Sequence, residues 1–299
     1  MRPGALRAAT AKAAAKLGKM RTRLSAGEKP NRRRMACLVT VYDAEPAKRR
    51  PHDVIAPPGG RHGTRALRPG PKARGKWLAG SVRRNPAEVI AAAFDEAGDR
   101  DPGRQRTWVV LVDGAEHQLD LIRAEAARRG AAIHAIVDII HVLEYLWDAA
   151  WSLHQAGDPA AEDWVAVKAL AVLAGDSDRA AEEITAEADA AGLAGNQRNG
   201  AAACVRYLEN KREFLRYDQA LEAGWPIATG VIEGACRHLI ADRLNLGGAR
   251  WGLDGAEAVL TLRAVISNGD FEEYWRFHLA CEHERLYPGT DQGKYALGA

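Results

Sequence analysis

The chain has 299 residues, 47% of them hydrophobic, which is enough to bury a sizeable core in one or two domains. No apolar stretch approaches the roughly 20 residues of a membrane span, and the first residues lack the apolar core and cleavage site of a secretory signal. We therefore expect a cytoplasmic protein without a membrane partner.

The formal net charge of +3 conceals a strong asymmetry along the chain. Residues 1–84 contain 22 Lys and Arg against 4 Asp and Glu, a local balance of +18, whereas the remainder contains 20 against 35, a balance of −15. This segregation predicts that the basic part contacts a polyanion, although a solvated basic tail has the same composition. The predicted DNA-binding residues are three adjacent cations in this part: Arg32, Arg33 and Arg34.

The four cysteines are far apart and form no Cys-x-x-Cys pair: Cys37, Cys204, Cys236 and Cys281. Their spacing argues against a zinc cluster and against a disulfide framework. We expect reduced thiols.

The basic part begins with a predicted helix over residues 1–20, where Ala and Leu recur at helical spacing between cations. A β-branched run over residues 35–43 predicts a strand. Residues 44–76 are rich in Pro, Gly and Arg and are predicted to form a loop. A helix is predicted to begin at Asn85–Glu88, where Pro occupies the first helical position.

Two apolar runs of strand length follow, residues 108–112 and 133–137, and each of them ends at an aspartate. Residues 119–129, which lie between the runs, have helical composition. Strand, helix and strand within about 30 residues predict a βαβ unit with parallel strands and a right-handed crossover. Asp113 and Asp138 would then lie at the same edge of one sheet, where open α/β sheets bind their ligands.

A helical insertion is predicted next. Apolar residues over 139–154 describe one face of a long helix, and residues 158–223 continue as Ala-rich, acidic, helical material with breaks near Gly175, Gly192 and Gly195. Three tryptophans of these helices are predicted to be core residues rather than base-stacking platforms: Trp147, Trp151 and Trp164.

The segment after the insertion combines a carboxylate with cations. Glu233 lies in a predicted helix, Arg237 follows one turn later, and a Gly-rich turn beyond carries Arg250 and Trp251. This combination suggests a metal-binding carboxylate beside phosphate-binding cations. Residues 254–257 resemble a capping box and predict the start of a further helix.

Five ordered blocks, with their intervening lengths, resemble insertion-sequence transposases of the ISKra type: residues 108–118, 138–147, 230–243, 248–252 and 267–275. The resemblance covers the chain from Met1 to about Glu284. It implies an RNase H-like catalytic domain interrupted by a helical insertion. It also implies metal-dependent cutting and joining of DNA.

Carried over by this resemblance, Asp113 matches the second acid of the family's DDE set and Glu233 matches the third, which implies catalysis with Mg²⁺ or Mn²⁺ held by both residues. The family's first Asp lies in an Asp-Gly-Lys-Gly segment just upstream of a Met-Arg-Pro sequence, and this chain begins with Met-Arg-Pro. The resemblance therefore implies that the first acid, its strand and the amino-terminal DNA-binding region are missing, and that a two-ion site does not form. Asp43, which also follows a predicted strand, is interpreted as a turn residue.

The resemblance also implies supporting roles around the two acids. Asp138 and His141 match the C/D-x-x-H motif of related transposases, and Arg237, Arg250 and Trp251 match the basic and aromatic positions after the Glu. Asp138 has two interpretations, the N-cap of the helix it precedes and a residue that supports the site. We expect His141 to be its partner in a polar network.

The sequence thus predicts an α/β fold, an incomplete RNase H-like domain with a helical insertion. Its parts are a basic region and sheet over 1–150, the insertion over 151–224, and the catalytic helix and tail over 225–299. The predicted function is impaired DNA transposition, with the element ends, target DNA, and a second copy or a full-length transposase as partners. The alternative is a non-enzymatic, DNA-binding transposase remnant. A nucleotide-binding α/β enzyme is disfavoured because no Gly-rich phosphate loop follows either strand.

Overall fold

The computed structural model describes residues 35–59, 66–155, 157–246 and 251–288. These residues form a mixed α/β structure with two small sheets, which confirms the predicted class. The predicted helix over residues 1–20 lies outside the described residues.

The described residues belong to two compact units. Unit 1 comprises residues 35–39, 78–89 and 237–288, and unit 2 comprises residues 40–77 and 90–236. The predicted boundaries at residues 150 and 224 remain predictions.

The first sheet pairs β1, Cys37–Ala44, with β2, Ala73–Ser81. The strand predicted over residues 35–43 is thereby confirmed. Strand β2, however, begins inside residues 44–76, which were predicted to form a loop. The sequence of β2 mixes Arg and Lys with Gly and Ala, so its alternation carries little hydrophobic signal. A single-turn helix, α1, Pro51–Val54, lies in the connection between the two strands.

Helix α2, Pro86–Arg100, begins where the sequence predicts. The amide of Glu88 donates to Asn85 Oδ1 at 2.9 Å, and the Glu88 carboxylate accepts from the Asn85 amide at 2.8 Å. This reciprocal pair is a capping box, which satisfies two amides that the first helical turn leaves without partners.

The second sheet pairs β3, Trp108–Val112, with β4, Ile133–Val137. The strands run parallel, with Trp108 opposite Ile133 and Val112 opposite Val137, and helix α3, Glu116–Arg129, connects them. The predicted parallel βαβ unit is confirmed. Because the two strands end in register, the residues that follow them emerge side by side.

Five helices follow and pack on one another: α4 Ile139–Leu153, α5 Pro159–Leu173, α6 Ser177–Ala190, α7 Asn199–Lys211 and α8 Tyr217–Ala223. The predicted helical character of residues 139–223 is confirmed. Helices α5 to α8 keep the name insertion from the prediction. Gly175, Gly192 and Gly195 have positive φ angles, which explains why the breaks fall at glycines. Helix α4 packs against α5 and α7 through a buried face that includes Val142 and Leu146.

Four further helical elements follow: α9 Gly230–Ala235, a π-helical turn Cys236–Ala241, α10 Leu253–Asn268 and α11 Phe271–Leu286. The predicted capping box at the start of α10 is wrong. The Glu257 carboxylate accepts instead from Ser81 Oγ at 2.7 Å and from the Val82 amide at 2.7 Å, and Asp254 pairs with Arg83. These carboxylates satisfy donors at the end of β2, and Gly252 is the N-cap residue.

The tryptophan prediction holds in part. Trp147 and Trp164 are partly buried against the core, as predicted. Trp151 remains 47% exposed, with its ring stacked on that of Trp147 at a centroid distance of 5.2 Å, so the prediction is wrong for Trp151. All four cysteines are free. None of the helices in the described ranges is long and apolar enough to cross a membrane.

Candidate functional site

Asp113 follows β3 directly and is exposed. Its Oδ1 accepts a hydrogen bond from the Ala115 amide at 2.9 Å, the geometry of an Asx turn. Gly114 between them has a φ of 91°, a conformation that favours glycine. The turn therefore holds Asp113 at the carboxyl end of the strand, where it forms no ion pair with any described residue.

Asp138 follows β4 and is fully buried. Its Oδ1 accepts from the Ile140 amide at 2.8 Å, so it is the N-cap of α4, as one of the two interpretations predicted. Its Oδ2 accepts from the Thr229 amide at 3.0 Å and from the Thr229 hydroxyl. Its own amide donates to the Val112 carbonyl at 2.8 Å. Asp138 thus joins the ends of both strands to a segment 91 residues further along the chain.

That segment leads directly into the helix that carries Glu233. The Ile139 amide donates to the Ile227 carbonyl at 3.0 Å, which aligns the segment with the start of α4. Thr229 is the N-cap residue of α9, and the Glu233 amide donates to the Thr229 carbonyl at 3.1 Å. Glu233 is exposed, and its carboxylate forms no hydrogen bond or ion pair within the described part of the chain. The fold thus brings the elements that carry Asp113, Asp138 and Glu233 to one edge of the sheet.

Two tyrosines donate to backbone carbonyls at this edge. Tyr217 Oη lies 2.7 Å from the Val137 carbonyl oxygen, and Tyr207 Oη lies 3.4 Å from that of Asp113, a long hydrogen bond. The Tyr207 ring stacks on Tyr145 of α4 with 4.0 Å between centroids. Burial raises the pKa of Tyr207, and neighbouring Tyr145 and the carboxylates raise it further. Burial also raises the pKa of Tyr217, so both hydroxyls stay protonated donors at neutral pH.

Helix α7 of the insertion contributes a cation beside the same turn. Lys211 lies one turn after Tyr207 on α7, its side chain is only 7% exposed, and its ammonium pairs with Glu116. A Cβ built on Gly114 would lie 3.1 Å from Tyr207 Oη and 3.7 Å from Lys211 Cε. The insertion is therefore packed directly against the Asp113 turn.

Sequence reasoning missed Thr229, Tyr207, Tyr217 and Lys211. Each lies far along the chain from the residue it contacts, and no spacing rule connects such positions. The Tyr207 and Lys211 pair at helical spacing indicates only that both share one face of a helix.

The expected contact between Asp138 and His141 is wrong. His141 Nδ1 lies 2.8 Å from the Glu144 carboxylate, and the side chain is 37% exposed. Asp138 is turned towards the first turn of α4 and towards Thr229, so its two oxygens are occupied by amides and a hydroxyl. Helical spacing therefore predicted the wrong partner for Asp138: the partner is Thr229 and not His141.

The remaining predicted site residues are placed in unit 1 or lie outside the described residues. Arg237 is exposed in the π-helical turn. Trp251 is 37% exposed, and the Arg243 guanidinium lies over its ring at 5.8 Å from the centroid. Arg250 lies outside the described residues, as do Arg32, Arg33 and Arg34.

The Mg²⁺ or Mn²⁺ site remains a prediction, and its two expected ligands are described. Asp113 and Glu233 both present carboxylate oxygens to solvent, and hard divalent cations prefer such ligands. In the described ranges, no group of three or more His, Cys, Asp and Glu side chains is placed to hold a metal ion. The fit therefore rests on two carboxylates.

Exposed cations lie in a row along β2. Arg74 and Lys76 lie in the strand and Lys72 immediately precedes it, and all three residues are exposed. Arg74 pairs with Glu45 at 3.1 Å, with both side chains largely exposed, whereas neither lysine forms an ion pair with a described residue. We refer to these three residues as the β2 cation row.

Comparisons with protein-family models, with curated proteins and with solved structures find no match for this chain. Function must therefore be inferred from the site residues themselves.

Proposed function

We propose that the chain is a DDE-class DNA transposase of the ISKra type, with an RNase H-like catalytic domain that the helical insertion interrupts. The observation that carries the proposal is the set of hydrogen bonds that Asp138 forms. This residue binds the Val112 backbone, one residue before Asp113, and it also binds Thr229, four residues before Glu233. The two acids that the resemblance pairs therefore come from elements that one buried residue, Asp138, ties together through its backbone amide and its carboxylate.

The order of the elements supports the fold proposal. A parallel βαβ unit ends in two aspartates, five helices follow, and the chain then returns to the same sheet edge with an acidic helix. An insertion that leaves and returns at this edge keeps the distant Glu beside the strand ends. Open α/β sheets bind ligands at this edge.

Asp113 and Glu233 are the residues that would hold a divalent cation. When bound, Mg²⁺ supplies charge neutralisation at a phosphodiester and favours deprotonation of an attacking hydroxyl. Asp138 holds the strand ends and the Glu233 segment in place, and the buried tyrosines stay protonated and fix the strand-end carbonyls. With two carboxylates the proposed site holds one ion weakly.

DNA is the proposed partner, and the β2 cation row is a described surface suited to its phosphates. This row also favours the second candidate function, a non-enzymatic DNA-binding protein, because phosphate contacts do not require Asp113 or Glu233. A second copy or a full-length transposase is a further proposed partner.

The decisive experiment is calorimetry with Mn²⁺ on the whole chain and on a double variant, Asp113→Asn with Glu233→Gln. The matched control is Asp120→Asn with Glu182→Gln, which removes the same charge from exposed positions of α3 and α6. We expect the site variant to bind at least about tenfold more weakly because both ligand charges are removed, and the control to bind like the wild type. Equal affinity in the wild type and the site variant would refute the metal site.

Two assays separate the candidates. Mg²⁺-dependent nicking of DNA that the site variant loses supports the transposase, whereas salt-sensitive DNA binding without nicking in any variant supports the binding protein. Replacing Lys72, Arg74 and Lys76 by Gln should reduce the slope of log K against log salt by about 0.9 for each phosphate that these cations neutralise in the wild type. An unchanged slope would exclude the β2 cation row from the DNA interface.

A further inference from the structure

We propose that Thr229 is a positioning residue for Glu233 and that it acts through the buried carboxylate of Asp138. The inference rests on the proposed function, because it assigns Glu233 a task that requires a fixed position. Its geometric basis is independent of that function and consists of contacts within unit 2.

Thr229 supplies two donors to a single carboxylate oxygen. Its amide lies 3.0 Å from Asp138 Oδ2, and its hydroxyl donates to the same atom. Asp138 is fully buried, its Oδ1 accepts from the Ile140 amide, and its own amide donates to the Val112 carbonyl. The carboxylate cannot rotate without breaking a buried hydrogen bond, so Thr229 is fixed relative to the ends of β3 and β4.

The hydroxyl of Thr229 has a different partner from that of most N-cap threonines. An N-cap Thr normally accepts a hydrogen bond from an amide in the first helical turn through its side-chain oxygen. Thr229 is the N-cap residue of α9, yet its side chain forms no such bond. The hydroxyl donates to Asp138 instead, so it anchors the helix to the sheet edge and does not cap it.

Helix α9 depends on this anchor because it is weak by itself. It has only six residues, of which Gly230 and Gly234 favour the unfolded chain. A Cβ at either glycine would meet nothing within 4 Å, so these positions have no packing that compensates. The amides of Ile232 and Glu233 both donate to the Thr229 carbonyl, at 2.8 and 3.1 Å. The first turn, and with it Glu233, follows the position of Thr229.

The test compares Thr229→Val, which removes the hydroxyl and keeps the shape, with Thr229→Ser, which keeps the hydroxyl. The matched control is Thr185→Val, because the Thr185 hydroxyl donates to the Ala181 carbonyl at 2.9 Å on the distant helix α6. Two quantities are measured on the 299-residue chain: amide hydrogen exchange at Ile232 and Glu233, and Mn²⁺ affinity by calorimetry. Thermal unfolding of each variant identifies any that fail to fold.

We expect Thr229→Val to accelerate exchange at Ile232 and Glu233 and to weaken Mn²⁺ binding, each by about tenfold, because a hydrogen bond to a charged group is removed. Thr229→Ser and Thr185→Val should stay within about twofold of the wild type. If Thr229→Val folds and leaves both quantities unchanged, the proposal is overturned, and a lower melting temperature alone counts as that result. If Thr229→Val does not fold while Thr229→Ser does, the amide exchange of Thr229→Ser tests the proposal. Faster exchange of the Glu233 amide in Thr229→Ser than in the wild type would then contradict it.

The experiment separates this inference from the proposed function. If the wild type binds no Mn²⁺, the metal site fails, whereas accelerated exchange in Thr229→Val alone still supports the anchoring of α9. If the wild type binds Mn²⁺ and the exchange rates do not respond to Thr229→Val, the metal site stands and the positioning role fails.

Discussion

The ends of β3 and β4 have the same sequence pattern and opposite environments. Each strand is an apolar run of five residues followed by an aspartate. Asp113 is exposed and its carboxylate accepts one hydrogen bond, from its own turn, whereas Asp138 is fully buried and its carboxylate accepts three. The difference arises because residues 227–229 return over the end of β4 and bind Asp138, whereas the Asp113 side chain at the end of β3 stays exposed.

This contrast separates an anchor from a candidate ligand. A carboxylate whose lone pairs are occupied by amides and a hydroxyl has little capacity left for a metal ion, so Asp138 is suited to hold the fold together. Asp113 retains exposed oxygen lone pairs at the edge where ligands bind. Asp113 and Asp138 both directly follow a parallel strand, but in the proposed site Asp138 is an anchor and Asp113 is a candidate metal ligand.

The largest expected effect distinguishes these tasks through stability. Asp138→Ala removes the acceptor for three donors and leaves buried groups without partners, so we expect a loss of about 3 to 5 kcal/mol in the free energy of unfolding. Asp113→Ala, at an exposed position, should change it by less than about 0.5 kcal/mol. Urea denaturation of both variants measures the difference. Similar losses in the two variants would contradict the assignment of Asp138 as the anchor.

Much of the fold around this edge is predictable from the sequence. The apolar runs of β3 and β4 stop at Asp residues and enclose a helical segment, so their bounds and parallel pairing follow from pattern alone. Strand β2 is not predictable in this way, because its residues alternate neither in polarity nor in burial. The capping box expected near Glu257 failed because donors at Ser81 and Val82, far away in sequence, compete for the same carboxylate.

The sequence predicts the acidic residues of the candidate site but not the residues that they contact. Asp113 and Asp138 follow from strand ends, but the partner of Asp138 lies 91 residues away across the insertion. Helical spacing pointed to His141, which pairs with Glu144 instead. Nothing local distinguishes Thr229 from other threonines, because its role comes from where the chain returns to the sheet and not from its neighbours.

A second prediction tests how tightly α7 packs on the turn after β3. Gly114→Ala places a Cβ 3.1 Å from Tyr207 Oη and 3.4 Å from Val137 Cγ2, at a φ of 91°. We expect a loss of about 2 kcal/mol in the free energy of unfolding, from backbone strain and crowding together. Gly157→Ala is the control, because Gly157 has a φ of 86° and no atoms within 4 Å of an added Cβ.

The control should lose only the strain component, about 1 kcal/mol. Equal losses in the two glycine variants, measured by chemical denaturation, would mean that Tyr207 and Val137 move to accommodate the added Cβ without destabilising the fold. The insertion would then not constrain the Asp113 turn.

The smallest expected effect compares the tyrosines that donate to the two strand ends. Tyr217→Phe removes a buried 2.7 Å hydrogen bond to the Val137 carbonyl and should cost about 1 kcal/mol of unfolding free energy. Tyr207→Phe removes a 3.4 Å bond to the Asp113 carbonyl and keeps the stacking on Tyr145, so it should cost less than about 0.5 kcal/mol. Equal costs would indicate that both strand ends are held equally firmly.

Alkaline pH sharpens this last comparison, because burial raises the pKa of both tyrosines in the folded protein. An unfolded chain releases these protons near pH 10, whereas the folded chain retains them. Above about pH 10 the unfolded state therefore binds fewer protons, so the unfolding free energy falls as pH rises, and below that pH the two groups contribute no pH dependence. Each Phe substitution removes one such group. Between about pH 10 and 11 it should therefore reduce the slope of unfolding free energy against pH, by up to the contribution of one proton. Denaturation at a series of pH values measures the slope. A Tyr217→Phe profile that runs parallel to the wild type over this range would show that the hydroxyl at the anchored strand end ionises as freely in the folded protein as in the unfolded chain.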